Sequence, residues 1–195
     1  MPLSESRDIF LRALVTQFHA DLGVVGEFTP VGASQMPDVY KQLLAHREHM
    51  TVTVEAFYGS LVDVQVLQKR RDDHFYAREI LLRRQPDSRV VQYGIVRLDW
   101  NMLDDEVRRD ILTERIPLGR TLIEHNVLRE VEVLQLWQVG CGRRLAELFA
   151  VEPGAVTFGR TAIIHCNGHP AIELLEIVAP VTLRDAPNAT GPCFV

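Results

Sequence analysis

The sequence has no surplus of positive charge, no cysteine framework and no long apolar run. Lys and Arg number 21 against 26 Asp and Glu, so the net charge is −5. A chain that neutralises phosphates needs the opposite balance, which argues against a nucleic-acid partner. The three cysteines, Cys141, Cys166 and Cys193, are odd in number and form no C-x-x-C pair. That excludes a disulfide scaffold and a structural zinc site as expectations. No apolar stretch approaches the ~20 residues that span a bilayer, so no membrane partner is expected. The opening MPLSESRDIF lacks the basic and apolar regions of a signal peptide, and a reducing cytoplasm is the expected location. No G-x-G-x-x-G follows a strand-like segment and no G-x-x-x-x-G-K-[ST] occurs, so the usual nucleotide-cofactor routes are absent. No H-E-x-x-H is present, and His165 and His169 have no third ligand at metal-like spacing. No cofactor and no metal are therefore expected. Cys166 lacks the G-x-S/C-x-G setting of a nucleophile.

What is present is hydrophobic periodicity. Nearly half the 195 residues are hydrophobic, enough for one well-filled core. Residues 5 to 22 place Leu11, Val15, Phe18 and Leu22 at helical spacing, with Gly23 as a stop. A second helix is expected from Pro37, carrying Val39, Tyr40, Leu43 and Leu44. From Met50 the period reads as two, with Val52, Val54 and Ala56 alternating against polar neighbours, which predicts a first strand. Further strands are expected over 61–67, 74–84, 90–98 and 127–137, with Lys69 to Asp73 as a charged connection. Helices are expected over 104–112, after Pro117, and over 143–149. Asn167-Gly168, between two apolar runs, predicts a hairpin of 156–166 with 170–178. Strand runs joined by hairpins and interrupted by helices give an α+β fold with a mostly antiparallel central sheet and helices packed over it. Residues 1–180 read as a single domain and 181–195 as a tail.

Three segments, taken together, resemble the chorismate lyase family. They are Tyr76-Ala77-Arg78-Glu79-Ile80-Leu81-Leu82, Ile116-Pro117-Leu118-Gly119-Arg120-Thr121-Leu122, and the stretch from Phe158-Gly159-Arg160 through Gly168-His169-Pro170 to Glu176-Ile177-Val178-Ala179-Pro180. Met50-Thr51 is a weaker fourth match. The resemblance covers residues 50 to 180 and implies a cofactor-independent lyase that removes pyruvate from chorismate to leave a hydroxybenzoate, most simply 4-hydroxybenzoate. It extends to wider lyase-like proteins and to effector-binding domains of some transcription regulators, which carry a winged helix upstream. Residues 1–49 are not basic, so no DNA-binding module is expected here.

On that resemblance Arg78 is the carboxylate anchor, because a guanidinium stays charged when buried and binds with a two-pronged fork. An outward-facing structural arginine is its bland alternative. Glu176 is the expected acid: its apolar strand would desolvate it and favour a protonated carboxyl. Glu173 competes, but three residues apart on a strand the two face opposite sides. Met50, Thr51, Leu118 and Gly119 are the expected substrate-binding positions, largely through backbone near a helix start. Arg160 is a further candidate and Arg129 a cation of structural type. The sequence departs from the usual lyase at Leu175 and Thr161, and in the loop after Arg78's strand. The alternatives are a non-catalytic domain that binds a small aromatic ligand, or an enzyme acting on a related enolpyruvyl or aromatic acid. The expected partner is a small molecule, and the expected state a monomer or homodimer.

Overall fold

The computed structural model describes residues 3–181, with side chains from residue 6 onward. The tail expected over 181–195 lies, apart from Val181, outside the described residues. Among the described residues, six α-helices and seven strands follow one another as α1 (Leu3–Val15), β1 (Gly26–Val31), α2 (Asp38–Leu44), α3 (Met50–Tyr58), β2 (Val62–Arg71), β3 (Phe75–Arg84), β4 (Val90–Asp99), α4 (Asp105–Thr113), α5 (Leu118–Glu124), β5 (Arg129–Cys141), α6 (Arg143–Phe149), β6 (Val156–Cys166) and β7 (His169–Val178). All strands join one antiparallel sheet in the order β1-β5-β6-β7-β4-β3-β2. The fold is α+β.

The expected strand from Met50 is a helix. Val52, Val54 and Ala56 alternate, but Met50, Thr51, Val54, Phe57 and Tyr58 also make a helical stripe. The helical stripe wins because it packs on the sheet: Met50, Thr51 and Val54 are buried, while Val52 is exposed. Gly59, at φ 61°, ends the helix in the left-handed conformation that glycine adopts without strain. The charged stretch from Lys69 is not a connection up to Arg71: it completes β2, whose outer edge is unpaired, and charge there discourages further pairing. α1 stops at Val15, short of the expected 22; Phe18 and Leu22 pack against the core from outside it. β1 was not anticipated. It is short, holds Pro30, and forms the opposite sheet edge, where a missing N–H costs no ladder bond.

Helices cover both faces. On one, Leu11, Leu14 and Val15 of α1 and Leu145 of α6 pack on Leu81, Tyr93, Ile95, Trp137, Leu175 and Ile177. On the other lie two separate clusters. One joins α4 and α5 to Val96, Leu98, Ile164 and Leu174. The second joins α2 and α3 to Ile80, Leu82, Phe158 and Val178. The functional site occupies the seam between these two clusters.

Candidate functional site

Strand periodicity sends residues 78, 80 and 82 of β3 to the seam, beside 92, 94 and 96 of β4 and 174 and 176 of β7. Register places Arg78 opposite Val96, and Gly94 between Ile80 and Glu176. Arg78 and Glu176 therefore sit two strands and two residues apart, with Cα atoms roughly 12 Å from one another by ideal sheet spacing. Gly94 leaves the floor between them flat: a Cβ there would lie 3.4 Å from the Ile80 side chain and 3.3 Å from the Leu175 carbonyl.

The roof comes from two helix starts. Met50 and Thr51 open α3, and Leu118 and Gly119 open α5. Neither start has a side-chain cap, so the first N–H groups of α3 receive no help from His49. The two helices touch closely at Gly119, where a Cβ would come within 3.1 Å of the His49 Cβ and 3.2 Å of Thr51 Oγ1. A side chain at position 119 would push the roof apart.

Arg78, Met50, Thr51, Leu118, Gly119 and Glu176 all line one cavity here, together with His49, Gln92 and apolar residues from both clusters. Its volume is about 40 Å³, room for roughly three waters. Arg160 is not among the lining residues. Its Nε donates to Glu176 Oε2 at 2.7 Å, and its terminal nitrogens donate to the carbonyls of Leu44, His46 and Glu48 at 3.3, 2.9 and 3.1 Å. Arg160 thus holds the loop after α2 in place.

Arg78 differs from every other buried charge described. It is 1 % exposed, yet Nε and one terminal nitrogen have no hydrogen-bond partner. Burial lowers its affinity for its proton, and the compensation comes only from Tyr76 and the more distant Glu114, to which Tyr76 donates at 2.7 Å. Gln92, 3 % exposed, likewise has an unbonded Oε1. Each unmade bond of a buried donor or acceptor costs about 1–3 kcal/mol. Both residues line the small cavity in the seam.

Three residues escaped sequence reasoning. Gln92 carried a signal, a polar residue inside the apolar run Val90-Val91-Gln92-Tyr93. His49 carried none; its ring accepts at Nε2 from Arg129 Nε at 2.7 Å. Burial, then Arg129 and Arg160, push its pKa down to about 4, so the imidazole is neutral. Glu79, on the far face, is fully buried and accepts from Gln68, Tyr93 and both Nε and a terminal nitrogen of Arg144 at 3.0–3.3 Å, with His19 Nε2 at 2.9 Å. Burial alone would raise its carboxyl, but these partners bring it below the usual range. His165 pairs with Glu132 at 3.0 Å, and no group of three metal-type ligands occurs among the described residues. No described helix is long and apolar enough to cross a membrane.

No family model and no curated protein matches the chain. Solved structures do. The effector domain of PhnF from Mycobacterium smegmatis matches at TM-score 0.50 and 10 % identity, covering 77 % of this chain and 91 % of that one. PhnF from the same organism matches at TM-score 0.49 and 8 % identity, covering 92 % and 94 %. A GntR-family transcriptional regulator from Enterococcus faecalis matches at 0.43 and 11 %, covering 60 % and 92 %. At these identities the likeness concerns the fold.

The expected chorismate-cleaving activity is corrected by these findings. The likeness at TM-score 0.50 is to an effector domain. The site's geometry agrees: the acid role expected of Glu176 calls for a carboxyl left unpaired in apolar surroundings, and Glu176 instead takes a charge-assisted bond from Arg160.

Proposed function

We propose that the chain binds a small carboxylic acid in the seam between β3, β4, β7 and the starts of α3 and α5, without transforming it. The observation that carries this reading is Arg78, a buried guanidinium with two unbonded nitrogens in a mostly apolar cavity. A planar fork of donors matches a carboxylate's two oxygens, and low surrounding polarity strengthens that pairing. The uncapped start of α3 adds N–H groups with partial positive charge nearby. Ile80, Val96, Leu118 and Leu174 offer an apolar bed for the ligand's body, and Gln92 offers a neutral hydrogen-bonding group.

The way the titratable groups are used supports binding without turnover. Glu176 is engaged by Arg160, and the His49 acceptor nitrogen is engaged by Arg129. Neither is free to shuttle a proton at a reacting atom. An effector domain with the same layered sheet supports the binding reading at the level of fold.

Calorimetric titration with benzoate and cyclohexanecarboxylate tests the proposal. Saturable binding to the wild type is expected, weakened at least 100-fold in Arg78→Met, which keeps the side-chain length and removes the fork. Equal affinity in both proteins would remove Arg78 from the site.

A further inference from the structure

Among the described residues, His49 alone lines both the buried cavity and a second, outer groove. The groove has a volume of about 480 Å³ and lies between the loop before α3 and the start of β5. Arg47, Arg129, Asn126 and one acid, Glu48, supply its polar wall beside His49. Arg47 has a loose pair with Glu130 at 3.7 Å, both exposed, which holds it weakly. Arg129 forms no salt bridge among the described residues; it donates to His49 and, at 3.0 Å, to the Val127 carbonyl. Each chamber therefore holds an arginine without a salt bridge, and one imidazole stands between them.

The inner cavity is too small for a benzoate-sized molecule until a wall moves. The backbone beside His49 is a poor candidate for that movement, because Arg160 grips three carbonyls of residues 44–48. The His49 ring is held far more lightly, by one bond from Arg129 and by packing over Gly119. A guanidinium always donates, so Nε2 is a bare acceptor and the ring is neutral. A neutral ring turns aside without carrying charge through an apolar passage.

We propose that the outer groove is a capture subsite where Arg129 receives a carboxylate, and that the His49 side chain is the door through which the ligand reaches Arg78. The capture step rests on the carboxylate reading of the cavity; the door does not.

The door is read without ligand. With Cys141, Cys166 and Cys193 replaced by alanine, Ile164→Cys places one thiol in the cavity wall, and methyl methanethiosulfonate labels it. Labelling at least tenfold faster in both His49→Ala and Arg129→Gln is expected, the second variant removing the latch while keeping the ring. Equal rates in all three proteins would overturn the door. The capture step is read in the His49→Ala background, where the passage is already open. There Arg129→Gln should slow benzoate association at least threefold in stopped-flow measurements. An unchanged association rate would overturn the capture subsite. Faster labelling with no benzoate binding in any variant would keep the door and remove the capture step along with the carboxylate reading.

Discussion

Arg78 and Glu79 are neighbours on one strand, equally buried, and treated in opposite ways. Glu79 points toward α1 and α6, where four donated hydrogen bonds and His19 surround its carboxylate. Arg78 points toward the seam with two nitrogens unbonded. A buried ion whose partners are all supplied by the chain belongs to the architecture; removing its partner leaves a stranded charge. A buried ion whose partners are withheld is held ready for something the chain does not contain. The same contrast separates Tyr93, bonded to Glu79 at 3.0 Å, from its neighbour Gln92, whose Oε1 is unbonded. One face of the central strands is closed on itself, and the other is left incomplete.

The largest test of that contrast is Glu79→Ala. It strands Arg144 and empties the network, and should destabilise the fold by about 3–5 kcal/mol. Urea unfolding measures this, and a loss below about 1 kcal/mol would erase the distinction between the faces. The network also links to pH: because the folded-state carboxyl is lowered, Glu79's contribution is present above its unfolded pKa and fades as pH falls through the lower folded value.

His49 sharpens the seam side of the comparison. Its folded pKa, about 4, lies below the unfolded 6.5. The stability that the neutral ring contributes is complete above pH 6.5 and is lost as pH falls toward 4, roughly 3 kcal/mol in all. Unfolding of wild type and His49→Gln, compared at pH 7.5, 5.5 and 4.5, should show the wild type losing more across that window. Parallel pH dependences would mean that His49 is not held neutral by its surroundings. The smallest effect belongs to Gly119→Ala, whose new methyl must displace His49 or Thr51 by a few tenths of an ångström. A loss of about 1 kcal/mol is expected, and an increase in melting temperature would show that the roof is less tightly fitted.

Much of this arrangement was legible in the sequence. Period-two patterning located β3, β4, β6 and β7 and placed Arg78 and Glu176 on strands. The Asn167-Gly168 hairpin and the Pro117 helix start formed where local chemistry put them. Met50 misled because the segment it opens carries two periods at once, and only packing against the sheet chose between them. β1 was hidden because an edge strand of six residues with a proline has little pattern to show. The roles of Arg160, Glu79 and His49 depend in part on partners 65 to 116 residues away in the chain, a distance over which no local rule operates. What a charged side chain meets inside the fold decides whether it supports the structure or waits for a ligand.

Arg78 is kept unpaired at a cost to stability. Urea unfolding of Arg78→Met without any ligand tests it most directly. The variant should be as stable as the wild type, or more stable by up to about 3 kcal/mol, because a stranded charge has been replaced by an apolar chain of similar length. A loss of 2 kcal/mol or more would contradict it, showing that Arg78 supports the fold as Glu79 does.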